Sequence, residues 1–99
     1  MTPYCAEYYK MAKEFHLERS GFICTLPKIH PADFVLKYNA YKDIIYVADN
    51  LIDLGYYISC YGAVKLSPNS ARQQLAKLMY QYKEILVKRK LKTIEKEFK

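Results

Sequence analysis

The chain has 99 residues, of which 52% are hydrophobic and 26% charged, so it is long enough for one domain with one modest core and too apolar for wholesale disorder. Its formal net charge of +6 favours nucleic acid or an acidic protein surface as the partner. No apolar run approaches the roughly 20 residues of a membrane-spanning helix, and the first residues lack the pattern of a signal peptide. We therefore expect a cytoplasmic protein with no membrane partner.

The first predicted element is a helix that begins at the Thr2-Pro3 pair, a typical N-cap followed by proline in the first turn. Apolar side chains recur at helical spacing from Tyr4 to Phe15, which predicts a helix over Pro3 to Leu17. The run from Phe22 to Leu26 is apolar and partly β-branched, and it indicates a short strand or an extended packed segment.

The middle of the chain is predicted to be helical. A short helix is expected from Pro31 to Tyr38, with a break near Asn39. A second helix is expected from Tyr41 to Ile52, since the apolar positions there recur every three or four residues: Tyr41, Ile44, Ile45, Ala48, Leu51 and Ile52. Gly55 stands where a glycine commonly ends a helix.

A β element is predicted between Tyr56 and Leu66. Tyr56 to Tyr61 is rich in Tyr and Ile, Gly62 interrupts the run, and Ala63 to Leu66 can return as a partner strand. Such a hairpin would resemble the wing of a winged-helix domain.

The last predicted element is a long helix capped by Ser67-Pro68, after which no Gly or Pro occurs. Thirty helical residues would span about 45 Å. A broad apolar stripe in the first half should pack on the core: Leu75, Leu78, Met79, Tyr82, Ile85 and Leu86. The predicted fold is a single mainly α domain over residues 1–99, with three or four helices, a short β element and a long basic C-terminal helix.

This last helix carries all of the net charge. The 28 residues from Arg72 onwards hold nine basic and three acidic side chains, whereas the preceding 71 residues hold seven of each. Cations at a helix C-terminus complement its dipole, but that explains only a few of the nine. Phosphate binding needs several such cations, and the candidate nucleic-acid-binding residues are Lys77, Lys83, Lys88, Arg89, Lys90 and Lys92.

Beyond Val87 the only apolar residues are Leu91, Ile94 and Phe98, spaced by three and four. We expect this narrow stripe to bind a second polypeptide, either another copy of the chain in a homodimer or a larger protein, on a helix end that projects over residues 88–99. The sequence also holds eleven Tyr and no Trp, and several Tyr alternate with basic residues. Aromatic rings beside cations grip single-stranded nucleic acid, which favours single-stranded DNA over a duplex.

Catalytic and metal-binding motifs are not found in the sequence. Cys5, Cys24 and Cys60 are odd in number and widely spaced, which predicts reduced thiols and no zinc site. There is no phosphate-binding glycine loop, nucleophile elbow or paired-carboxylate motif. We expect no catalytic residues, no metal and no cofactor.

The possible hairpin from Tyr56 to Leu66 and the long basic helix from Ser67 to Lys92 resemble small accessory proteins encoded beside replication enzymes on bacterial mobile elements. The resemblance implies a polymerase or helicase as partner and assigns no functional residue. The expected function is therefore that of a non-catalytic, nucleic-acid-binding accessory subunit of a replication or DNA-processing enzyme. A protein-only adaptor or inhibitor and a winged-helix DNA-binding regulator are the alternatives.

Overall fold

The computed structural model describes the backbone of residues 3–97 and the side chains of residues 4–93. Within that range two helices accompany a five-stranded antiparallel sheet whose strands lie side by side in chain order. The elements are α1 (Pro3–Glu14), β1 (Glu18–Ser20), β2 (Ile23–Thr25), β3 (Leu36–Asn39), β4 (Ile44–Asp53), β5 (Ile58–Leu66) and α2 (Pro68–Glu97).

The predicted mainly α fold is therefore wrong, because the described residues form an α+β domain with two helices rather than three or four. The two terminal helices are present where the sequence indicated them. α1 ends at Glu14 rather than at Leu17, since His16 has a left-handed φ of 54° that stops the helix. β2 lies within the run expected to be extended.

The largest error concerns the helix predicted from Tyr41 to Ile52, which is the strand β4. The apolar residues of this segment fit a helical period as well as a strand, but the buried side chains include the alternating pair Ile45 and Val47. β-branched and aromatic residues are also frequent here, and they pack well on a pleated sheet. Pairing with β3 and β5 on either side decides the conformation.

Pairing between strands that are distant in the sequence also explains the other two wrong predictions. The helix expected from Pro31 to Tyr38 is a loop followed by β3, in which Leu36 and Tyr38 alternate into the core. The break near Asn39 is the turn to β4, where the Asn39 side chain accepts hydrogen bonds from two backbone amides. The winged-helix-like hairpin is absent from the described chain, because β5 continues through Gly62 as one strand.

The loop between β2 and β3 returns to the sheet and covers part of its free edge. The Ile58 amide donates to the Lys28 carbonyl (2.8 Å), and the His30 amide donates to the Ile58 carbonyl (3.0 Å). The carboxylate of Asp33 then accepts from the Ser59 hydroxyl and the Cys60 amide, both at 3.1 Å. The start of β5 is thus paired with β4 on one side and with this loop on the other.

α2 packs its first half across β4 and encloses the core. Ala71, Leu75, Leu78 and Tyr82 are buried against apolar side chains of the sheet. Burying a side chain of leucine size contributes about 1.5–3 kcal/mol, so this face holds the helix in place. This buried face extends along only part of the 30-residue length of α2.

Two glutamines on α2 also bond the backbone of β4 beyond the point where β3 ends. The Gln74 amide group donates to the Ala48 carbonyl (2.9 Å) and the Asp49 carbonyl (2.7 Å). The Leu51 amide donates to the Gln81 side-chain oxygen (3.2 Å). These side chains take the place of a neighbouring strand, which is why backbone groups here stay satisfied.

Candidate nucleic-acid interface

Five of the six candidate cations are exposed lysines on α2. They form no ion pair within 4.0 Å with any acidic side chain in the described part of the chain. At 3.6 residues per turn they fall into two rows on the helix surface. One row contains Lys77, Lys88 and Lys92, and the other contains Lys83 and Lys90.

Arg89 is different, because its charge is already used within the protein. Its guanidinium Nε donates to both carboxylate oxygens of Asp53, at 3.1 and 3.2 Å. This bond, the Gly55 amide and the nearby charges of Arg89 and Lys92 together lower the pKa of Asp53 to about 2. Arg89 therefore holds α2 to the end of β4, and contact with a phosphate would require it to share or leave Asp53.

A second arginine on α2 is neutralised in the same way. Arg72 bonds Glu7 at 2.6 Å and Glu14 at 3.1 Å, and so joins α2 to α1. The guanidinium lowers the pKa of Glu7 chiefly through the hydrogen bond. It also borders a cleft at the start of α2, lined by Tyr4, Glu7, Ser67, Pro68, Asn69 and Arg72. With two carboxylates on one guanidinium, this cleft has no excess positive charge for an anion.

The predicted partner-binding residues are only partly described. Leu91 is 54% exposed. The side chain of Ile94 and the residue Phe98 lie outside the described residues. Two further exposed apolar side chains on this surface of α2 were not predicted from the sequence: Tyr80, which is 67% exposed, and Val87, which is 56% exposed. In the sequence, Tyr80, Val87 and Ile94 are seven residues apart, and this spacing could have identified Tyr80 and Val87.

The tyrosines divide between the core and the surface. Tyr8 and Tyr38 stack inside the protein with ring centroids 5.6 Å apart. Tyr82 is buried, as its place in the apolar stripe indicated, and its hydroxyl donates to the Pro27 carbonyl at 2.6 Å. The exposed tyrosine rings include Tyr41, Tyr56, Tyr61 and Tyr80. Of these, Tyr80 lies on α2 beside Lys83 and lines the same grooves.

The three thiols are free, and two of them are poor nucleophiles. Burial raises the pKa of Cys24, and it raises the pKa of Cys60 to about 12, so neither forms a thiolate readily at neutral pH. Among the described residues, no three His, Cys, Asp or Glu side chains gather as metal ligands would. Neither helix, over the residues described, is long and apolar enough to cross a bilayer.

Comparison with protein-family models, with curated proteins and with solved structures finds no match to this chain.

Proposed function

We propose that this protein binds nucleic acid through α2 and serves as a non-catalytic accessory subunit of a replication or DNA-processing enzyme in the cytoplasm. The observation that carries the proposal is the set of exposed lysines on α2 without a described ion-pair partner: Lys77, Lys83, Lys88, Lys90 and Lys92. Mobile, unpaired lysines are the groups that displace counterions from a phosphate backbone.

Single-stranded DNA is the form we favour. The exposed ring of Tyr80 lies beside Lys83 on the same helix, and a base can stack on such a ring while the cation meets a phosphate. The lysines occupy two rows rather than one face, and a flexible single strand can follow that arrangement more easily than a rigid duplex.

Salt dependence of oligonucleotide binding tests the proposal. A Lys88→Glu, Lys90→Glu, Lys92→Glu variant leaves the Arg89–Asp53 bond in place, and its affinity for a labelled single-stranded oligonucleotide can be followed by fluorescence anisotropy. Each lost contact should reduce the log–log salt slope by about 0.7, so the triple variant should lose about two units.

The matched control reverses three exposed lysines outside α2, Lys13, Lys42 and Lys65, and so makes the same change in net charge. It should bind nearly as well as the unaltered protein. Equal losses in the two variants would mean that the protein attracts DNA only by its net charge, and unchanged binding in both would rule out α2 as the surface.

The second candidate function is that of a protein-only adaptor or inhibitor. The apolar side chains exposed on α2, Tyr80, Val87 and Leu91, favour it. Such a protein would bind its partner with little salt dependence and would be recovered with that partner after nuclease treatment.

A further inference from the structure

The outward side of α2 has its own apolar surface, separate from the face that packs on the sheet. Tyr80, Val87 and Leu91 are all more than half exposed. They lie on the side of the helix opposite Leu78 and Tyr82, which are buried. Together with Lys83, Glu84 and Lys88 they line a shallow groove of about 410 Å³.

The spacing of these residues is that of a coiled-coil seam. Positions 80, 84, 87 and 91 are separated by four, three and four residues, which is the interval between successive a and d positions of a heptad. In the sequence, Ile94 and Phe98 continue the same interval. We call the four described positions, residues 80, 84, 87 and 91, the outer seam, with 84 and 91 at a positions and 80 and 87 at d positions. A seam of this kind buries its side chains only when a second helix lies along it.

The charges beside the outer seam indicate which helix that is. Lys83 and Lys90 occupy the g positions on one side, and Lys88 occupies the e position on the other. All three are exposed and make no ion pair with a described residue. A partner with carboxylates at its own e and g positions would meet an opposite charge at each of the three.

A second copy of this chain fits the outer seam less well. In a parallel pair of copies, Lys83 would face Lys88 of the other copy, and only Lys90 would meet an acidic residue, Glu95. In an antiparallel pair aligned over residues 80–91, Lys83 would face Lys90 of the other copy. We therefore propose that the outer seam binds an amphipathic helix of another protein, and that acidic residues flank the apolar stripe of that helix.

Glu84 makes the proposal more specific. It is the one polar residue among the four seam positions, and a single polar a position sets the register of a coiled coil. A carboxylate there favours a lysine, arginine or asparagine at the facing position of the partner. The partner helix should thus be acidic along its flanks and carry one basic or amide side chain in its apolar stripe.

Two synthetic helices test the proposal on the full chain. Both have Ile and Leu at the a and d positions, with one a-position Lys, and they differ only in carrying Glu or Lys at every e and g position. By isothermal titration at low salt, the Glu peptide should bind at least about tenfold more tightly than the Lys peptide. Equal binding of both peptides, or of neither, overturns the proposal.

Substitutions in the outer seam locate the contact. Val87→Ala with Leu91→Ala should weaken binding of the Glu peptide by roughly 100-fold, because both side chains lose their apolar contact. The control, Ile52→Ala with Leu54→Ala, removes two exposed apolar side chains that are not on α2 and should leave binding unchanged. Equal effects of the two pairs would place the peptide elsewhere.

Two further measurements separate this proposal from its competitors. The Val87, Leu91 variant should keep its affinity for the oligonucleotide, so that loss of helix binding and loss of DNA binding can be told apart. Sedimentation should show a monomer in the absence of peptide. A dimer that the same two substitutions dissociate would make a second copy the occupant and overturn the proposal.

Discussion

At the scale of the residue, the two arginines of α2 behave unlike the lysines around them. Arg72 and Arg89 bond carboxylates that lie 36 to 65 positions away in the chain. The sequence could show that both are basic, but not which distant acid each would meet. The forked guanidinium suits these bidentate contacts, whereas the lysine ammonium stays hydrated. The cations available to a ligand are thus the lysines.

The Asp53–Arg89 pair should make stability depend on pH. The folded pKa of Asp53 is about 2, below its ordinary value of 3.8, so the pair stabilises the fold above about pH 4 and this contribution is lost as pH falls toward 2. At pH 7, Asp53→Asn should lower the free energy of unfolding by about 0.5–1 kcal/mol, as is usual for a partly exposed pair. Urea unfolding at several pH values measures the difference.

The difference in unfolding free energy between Asp53→Asn and the unaltered protein should become smaller as the pH is lowered from 4 to 2. Glu84→Gln is the control, since Glu84 is exposed and forms no ion pair with a described residue, and its effect should be small throughout. A constant gap between Asp53→Asn and the unaltered protein across this range would mean that the carboxylate contributes by some means other than its charge.

Substitution of Gly62 should destabilise the fold for two reasons: its backbone has a positive φ, and the Asp49 side chain lies close to it. Its φ is +71°, and a Cβ would lie 3.2 Å from the Asp49 Cβ on the paired strand. Gly21 has a similar φ of +63° with nothing within 4 Å. Alanine at Gly21 should cost about 1–2 kcal/mol from backbone strain alone. Gly62→Ala should lower the free energy of unfolding, measured with denaturant, by more than Gly21→Ala does. Equal decreases would show that Asp49 can move aside without an energetic cost.

At the scale of the element, the sequence predicted the two terminal helices and failed between them. In the sequence, each helix begins at a proline that follows a Thr or Ser and has an apolar stripe on one side, and these signals are local. β4 has no such local signal, because its apolar residues fit both periods and its conformation depends on β3 and β5. The candidate lysines could be chosen from charge alone. The spacing of the outer seam can also be read from the sequence, but only the structure shows that this side of α2 faces away from the sheet.

Substitutions of Tyr80 and Tyr82, which lie two residues apart on α2, should differ sharply in their effect on stability. Tyr82→Phe leaves the Pro27 carbonyl without the 2.6 Å bond that it accepts, and this should cost about 0.5–1.5 kcal/mol. Tyr80→Phe alters an exposed side chain and should change the thermal midpoint little. Calorimetry on both variants compares them, and an equal effect would contradict the assignment of faces on α2.

At the scale of the whole molecule, a body of zero net charge carries one cationic helix. The described part of the chain extends over 57 × 22 × 19 Å, and α2 is the longest element in it. A field concentrated in this way directs a polyanion or an acidic helix to one place rather than over the whole surface. In the function proposed above, the body supports α2, and α2 supplies the surface for a partner.

Removal of the end of α2 should therefore leave the body intact. A chain that stops at Lys90 keeps the Arg89–Asp53 pair and all of the buried side chains that the structure describes on α2, so its thermal midpoint should stay within a few degrees of the full chain. A chain that stops at Gln81 loses Tyr82 and Arg89 and should melt much earlier. A large drop for the first truncation in a monomeric sample would show that residues 91–99 fold back on the body.

The glutamine contacts between α2 and β4 have a consequence for hydrogen exchange. The Leu51 amide is bonded by Gln81 of the helix, not by a strand. Its proton can therefore exchange with solvent whenever α2 lifts from the sheet, without the sheet itself opening. The Val47 amide lies where β4 is flanked by strands on both sides, and it should exchange only in larger openings. The ratio of the exchange rates of the Leu51 and Val47 amides would report how often α2 separates from the sheet.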